Sequence, residues 1–556
     1  MNRPHKWAVS VAVLLLALAA SATSLHNGFA YDDVPIIRDN VRIHSLDGWW
    51  RLFGQSYWPP PYDAALYRPL VMLGFAVQWV AGGGAAGIFH VVNVVLYAAV
   101  CLAMYALAAA VLPRSAAFAA AALFAAHPVH VEAVGNVVGQ AELWAALATL
   151  LAVIAYLRQR ARGKPTAIGI LALCATYALG CLAKEHAVML PALLLAAECT
   201  LVADPRPLRA RVRDLLPLGA ALAAVAVAYL VARGLAIGGM IGTIANVALA
   251  RLTYGERLLA MLGVVPEWAR LLLWPARLSA DYSPPMIAAM RVREPGVALV
   301  AGAVVLLLTV CLAVVIARRR SVVTFGLLWF GILILPVSNI LVLSGVLLAE
   351  RTLFLPSAGV CLAIGAGVAW LCERCDVAPH LVRWAAAAAL LAVVGAGTWR
   401  SATRQPVWRD DETLFAQTVL DAPLNYRAHE LYGRVLFRNG RPIAGERKLR
   451  EALELYPYDP AVHNMLASAY REAGLCRPAI PLYREALVLA PDRAVYRAGL
   501  AACLLHEGSF VAARGEARIG LAYGGPSRAA FERLAAAADS ALASQDEGRW
   551  TFLTPH

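Results

Sequence analysis

The 556 residues are 60% hydrophobic and 15% charged, their mean hydropathy is +0.63, and Lys plus Arg exceed Asp plus Glu by 49 to 36. Soluble chains are nearer half apolar and a quarter charged, so most of this chain must meet lipid. A cytosolic enzyme, a disordered tail and a nucleic-acid binder are excluded as whole-chain readings.

On the ruler that a membrane span needs about 20 apolar residues, eleven candidates run near 7–25, 88–111, 115–127, 141–157, 166–183, 187–203, 215–232, 296–317, 322–345, 353–372 and 382–399. The first also fits a secretory signal, because Arg3 and Lys6 precede it and small residues follow. With a cytoplasmic N-terminus the dense basic clusters fall on one side: Arg114; Arg158, Arg160, Arg162 and Lys164; Arg206, Arg209, Arg211 and Arg213; Arg318, Arg319 and Arg320; Arg374 and Arg383. The net charge of +13 then reads largely as an orientation signal. Residues 256–274 are nearly long enough to span but carry Glu256, Arg257, Pro266, Glu267 and Arg270, so they read as an amphipathic or re-entrant helix inside a long outer loop, 234–295. The ten cysteines show no paired ligand spacing; Cys372 and Cys375 form one isolated CxxC.

After Trp399 the chain turns charged and helical. Gly440, Gly474 and Gly508 recur every 34 residues, and so do Ala452 and Ala486, Leu453 and Leu487, Pro457 and Pro491, and Leu466 and Leu500. That is the tetratricopeptide period, in which pairs of amphipathic helices stack through small residues. The repeats read as 426–459, 460–493 and a degenerate third, 494–527, where Gly520 and Gly525 replace the expected Ala and Pro; residues 400–425 and 526–545 are candidate capping helices. The expected architecture is all-α: a membrane body, 1–399, and a repeat domain, 400–556, the latter on the same outer face as the first loop, 26–87.

The outer loops hold the chemistry. Asp32 and Asp33 follow the first span, and a carboxylate at a membrane-side cleft suits a general base. On an extended segment the two point opposite ways, so one faces substrate while the other orients it or holds a basic group. Arg68 stands in the run Tyr67–Leu70; His90 and Asn93 share a helix face, where hydrogen bonds between helices are as good a reading as ligand contact. His127, His130 and Glu132 cluster near Gln140 and Glu142, but Pro128 interrupts the helix and three ligands are few for a metal, so a sugar-contacting patch or a hydrogen-bonded turn is more economical. Lys184–Glu185 and Glu350–Arg351 are charge pairs at outer span ends, where a cation suits a lipid-linked phosphate or pairs with an adjacent or facing carboxylate.

Taken in order, YDD, YRPL, FHVVN, HPVHVEAV, KEHAVMLP, WPARLSADYSPP, PVSNIL and ERTLFLPSAG, followed by helical repeats, resemble the transmembrane-and-tetratricopeptide O-mannosyltransferases, which are GT-C glycosyltransferases. The resemblance covers essentially the whole chain. It implies transfer of a sugar, mannose by default, from a polyprenyl-phosphate carrier to an acceptor hydroxyl outside the cytoplasm, with inversion. It further implies a first-loop acid, Asp32 or Asp33, as base, and Lys184 or Arg351 beside the leaving phosphate. Arg68, His127, His130, Glu132, Glu185, Asp281, Tyr282 and Glu350 complete the expected substrate surface. The chain departs from the family at Gln140 and Glu142, where Arg often precedes an Asp, and at Tyr97, where His is common. No cofactor is implied with certainty, and a divalent cation is left open. The expected partners are the lipid-linked sugar, membrane lipid and a protein or peptide held by the repeats; no nucleic acid is expected. The Ala- and Arg-rich composition points to a bacterial inner membrane with the active face in the periplasm. A tetratricopeptide scaffold without catalysis and a lipid-linked-sugar transporter are the competing readings.

Overall fold

The computed structural model describes residues 4–60, 62, 65–239, 249, 252–283, 295–317, 321–374, 379–523 and 528–551. Pro284, Pro285, Arg318, Arg319, Arg320, Cys375 and Gly525 lie outside them. The described residues are helical and contain no strand. They divide into two compact units, residues 1–282 with 287–417, and residues 418–556 with 283–286.

The first unit is a multi-pass membrane body. Among the described residues six helices are long and apolar enough to cross a bilayer: Trp7–His26, Ala86–Val111, Val137–Arg160, Leu216–Ile237, Glu350–Arg374 and His380–Trp408. A seventh arises if Arg114–Ala126 and Pro128–Gly135, bent by 48°, count as one span. The eleven apolar stretches are therefore not eleven full-length crossings of equal kind. Ala167–Ala183 is a shorter helix. The stretch 187–203 is split between the turn Glu185–Met189 and the short helix Leu190–Thr200, because Pro191 suits only a first turn. Likewise Pro336 ends Val322–Ile334. Pro295–Ala317 is a helix of 23 residues. Residues 256–274 form two nine-residue helices, Tyr254–Leu262 and Val265–Leu273, whose buried sides include Met261, Trp268 and Leu271 while Arg270 and Glu267 pair at 2.7 Å.

Lipid tails are as apolar as leucine, so small residues that admit close backbone approach hold such helices together. A Cβ on Gly326 would collide with the carbonyl of Gly359, which sets the crossing of Val322–Ile334 on Phe354–Arg374. Ala116, Ala117, Ala120 and Ala121 bury one side of Arg114–Ala126. Residues 400–417 remain with this unit: Asn27 Nδ2 donates to the Gln405 carbonyl at 2.9 Å, and the Tyr31 amide to Asp411 Oδ1 at 2.6 Å.

Part of the basic surplus is structural. Arg160 and Arg211 converge on buried Glu198, with Arg160 Nε at 2.9 Å and Arg211 Nε at 2.7 Å, and Arg206 joins Asp204 and Asp214. Arg158, Arg162, Arg209 and Arg213 are exposed.

The second unit repeats itself. Helices begin at Tyr426, Pro460 and Ala494, and their partners at Pro442, Cys476 and Phe510, each step being 34 residues. Gly440, Gly474 and Gly508 turn each hairpin at φ of 73°, 75° and 75°, a conformation that costs glycine little. His429 and His463 meet the carbonyls of Pro423 and Pro457 at 3.0 and 2.8 Å, and Arg497 makes the same bond to Pro491 at 2.9 Å. Buried Ala452 and Ala486 give way to Gly520 because the ring of Phe531, on Arg528–Thr551, fills the space of a Cβ. The degenerate third repeat is thus the one that packs on Arg528–Thr551.

Candidate functional site

The loop after the first helix is a turn, not the extended segment expected. Tyr31 takes φ of 56°, its ring packing edge-on to Phe415, and Val34–Arg38 form one π-helical turn. This separates the two aspartates. Asp33 is fully buried and accepts the amides of Val138 at 2.8 Å, Val137 at 3.2 Å and Ala30 at 3.4 Å. Burial pushes its pKa up to about 8, against the pull of those three donors. It braces the turn Val137–Gly139, whose Gly139 lies so close to the Ala133 backbone that no Cβ fits.

Asp32 lines a cavity of about 390 Å³. Its Oδ2 is 3.6 Å from Arg351 Nη1, which also lies 2.8 Å from Glu132 Oε1, while the Arg351 amide donates to Glu132 Oε2 at 2.8 Å. Lys184 pairs with Glu142, and His186 Nδ1 stands 3.7 Å from the same carboxylate. Burial lowers the Lys184 pKa, against the attraction of Glu142. Arg68 reaches Glu185 Oε2 through Nη2 at 3.0 Å and Nε at 3.2 Å, with its guanidinium 5.0 Å from the Tyr57 ring centre. Arg233 approaches Glu185 from the other side at 3.5 Å. The remaining wall is apolar: Leu335, Val337, Leu341, Leu343 and Val346, with Leu230 and Met189. The sequence-adjacent pairs Lys184–Glu185 and Glu350–Arg351 therefore do not pair internally; each charge is met from a distant segment.

Glu185 is set by this arrangement. Burial alone would raise its pKa, but Arg68 and Arg233 overcome that and hold it at about 2, below the ordinary carboxylate value. A depressed carboxyl adds stability that is full above its unfolded pKa and lost as the folded pKa is approached from above. Melting temperature should therefore fall as pH drops from about 4.5 toward 2, and Glu185→Gln should flatten that limb; an unchanged acid limb in the variant would refute the assignment.

Five expected residues are elsewhere. His127 caps the turn Pro128–His130 through Nδ1, and its Nε2 meets the Leu272 carbonyl at 3.0 Å. His130 bonds Ser357 Oγ at 2.9 Å and the Tyr97 hydroxyl at 3.1 Å, so Tyr97 is a structural partner. Glu350 is buried, accepting from the Tyr282 hydroxyl and the Ser279 amide, each at 2.6 Å. Asp281 is joined to Ser279 through its backbone. None of these lines the cavity of Asp32, and Glu132 acts on it only through Arg351. His127, His130 and Glu132 thus diverge instead of converging as ligands, and among the described residues no group of three or more His, Cys, Asp and Glu is placed to hold a metal. His90 and Asn93 bond the Gly28 carbonyl and the Val134 and Asn136 carbonyls. Gln140 joins Asn93 to Gln78.

Sequence reasoning missed Tyr57, His186 and Arg233. A signal for the last existed: Arg233 is the one charged residue in the helix Leu216–Ile237, and a lone cation in an apolar helix marks a functional position.

No family model matches the chain. It is similar to the human protein O-mannosyl-transferase TMTC1, 27% identical over 499 residues, which cover 81% of this chain and 55% of the relative. It is also similar to the protein O-mannosyl-transferase F38B6.6 of Caenorhabditis elegans, 26% identical over 456 residues covering 80% and 62%. The Drosophila melanogaster protein O-mannosyl-transferase Tmtc2 is 37% identical over 185 residues, 31% of this chain and 20% of the relative. The chain thus spans less than two thirds of the length of each of these three relatives. Along most of its own length it is thus similar to proteins named protein O-mannosyl-transferases.

Proposed function

We propose that this relative of the TMTC-type transferases is a membrane glycosyltransferase of the GT-C type that moves a sugar from a polyprenyl-phosphate carrier to a protein hydroxyl on the extracytoplasmic side. Mannose is the sugar favoured by the names of the relatives. One observation carries the reading: the partly exposed carboxylate of Asp32, four cations and an apolar wall share one cavity, as a substrate with a charged head and a hydrocarbon tail requires.

Asp32 is the general base. Asp33 spends both oxygens on backbone amides, whereas Asp32 faces the cavity with Arg351 Nη1 3.6 Å from its Oδ2. In the proposed step Asp32 takes the acceptor hydroxyl proton as the oxygen attacks the anomeric carbon. The bond from that carbon to the phosphate oxygen breaks, and its electron pair leaves with the lipid phosphate. One displacement inverts the centre and needs no covalent intermediate. The 34-residue hairpins, read as tetratricopeptide repeats, engage the protein acceptor.

The test is incubation of the full chain, in nanodiscs, with a panel of polyprenyl-phosphate sugars and a hydroxyl-bearing peptide, followed by mass spectrometry. Consumption of one donor with a matching gain in peptide mass is expected. No donor consumed across the panel would overturn the reading.

A further inference from the structure

The charges around the cavity are unevenly distributed. Arg351 stands between two carboxylates, Asp32 and Glu132, so two anions already compete for that one cation. Lys184 and Glu142 cancel. Arg68 and Arg233 share the single carboxylate of Glu185, which leaves one net positive charge. An anion entering this cavity must displace two carboxylates to reach Arg351, but only one shared carboxylate to reach Arg68 and Arg233.

The hydrogen bonding agrees. Arg351 is occupied by Glu132 through its backbone and side chain, whereas Arg233 is not fully used. Its Nη2 donates to the Ala65 carbonyl at 2.7 Å, but Nη1 is buried, makes no hydrogen bond and sits 3.5 Å from Glu185. The buried Tyr57 hydroxyl and His186 Nε2, both on residues lining the same cavity, also lack partners. Buried polar atoms left unpaired are costly, and here they cluster where a ligand with several oxygens would satisfy them. Leu230, three residues from Arg233, and the segment Leu335–Val346 supply apolar surface in the same cavity.

We propose that Arg233 and Arg68, with Glu185 shared between them, form the anchor for the lipid-linked phosphate, and that Arg351 and Lys184 do not bind it directly. Arg351 is instead a positioning residue for Asp32. This rests on the glycosyltransferase reading and deepens it, because it fixes where the phosphate sits relative to the base. Glu185 then acts as a placeholder anion that keeps the two guanidiniums from repelling each other until a phosphate arrives.

The test measures binding of decaprenyl phosphate, without sugar, to the full chain in nanodiscs by native mass spectrometry, with inorganic phosphate as the second arm. Wild type should bind the lipid saturably and inorganic phosphate far more weakly. Arg233→Gln should weaken lipid binding by about tenfold to a hundredfold, the value of charge-assisted hydrogen bonds. Arg233→Lys should retain more of it, and Arg351→Gln should alter it by less than about threefold. Glu185→Gln, which removes the competing anion, should tighten it and keeps the proposal testable if Arg233→Gln does not fold. Equal weakening by Arg351→Gln and Arg233→Gln, or no tightening in Glu185→Gln, would overturn the phosphate assignment alone. Inorganic phosphate bound as tightly as the lipid would overturn the lipid source. No binding of decaprenyl phosphate by wild type would overturn the glycosyltransferase reading with it.

Discussion

Asp32→Asn should reduce sugar transfer by about a hundredfold to ten-thousandfold, the range that a positioned general base supplies, while leaving assembly of the membrane body intact. The variant keeps the size of the side chain and its place opposite Arg351, but an amide cannot accept the hydroxyl proton. Asp33→Asn should behave oppositely. An amide nitrogen facing the Val137 and Val138 N–H groups leaves buried donors unpaired, at a cost of about 1–3 kcal/mol. The loss appears in melting temperature, and in rate only as far as the turn Val137–Gly139 shifts. Steady-state rates and thermal unfolding of both variants separate the roles; full transfer by Asp32→Asn would remove it as the base.

The largest effect on stability is expected at Glu198→Ala. Glu198 and Arg211 are wholly buried and Arg160 nearly so, and the carboxylate also accepts the Tyr156 hydroxyl at 2.6 Å. Its removal leaves buried Arg211 with no carboxylate among the described residues and Arg160 with Asp204 alone, and strands a phenol, and breaking a buried pair from one side costs roughly 3–5 kcal/mol. A sharp fall in the melting temperature of the detergent-solubilised protein, or failure to accumulate, is the expected outcome. An unchanged melting temperature would show that the cluster is wet, not buried.

Where periodicity carries the information, the sequence was readable. The 34-residue step of Gly440, Gly474 and Gly508 reappears as helix starts at Tyr426, Pro460 and Ala494. Apolar length was less reliable, because a proline such as Pro191 or Pro336 ends a helix without lowering hydropathy. Charge pairing was least legible. Lys184–Glu185 and Glu350–Arg351 look like local pairs, yet Lys184 meets Glu142 and Arg351 meets Glu132, 42 and 219 residues away. Such partners are set by helix packing, which a linear reading does not contain. For the same reason Glu350, Tyr282, His127 and His130, chemically plausible in sequence, turn out to be joints between segments. Arg233, passed over within an apolar run, reaches the cavity.

The role proposed for Asp32 is to drive transfer from a lipid phosphate in this cavity. Its most direct test is the release of polyprenyl phosphate from the consumed donor, followed in parallel for wild type and Asp32→Asn in the same nanodiscs with acceptor peptide. Release in step with peptide glycosylation is expected for wild type, and at least about a hundredfold slower release for the variant. Equal release by the two proteins would contradict it.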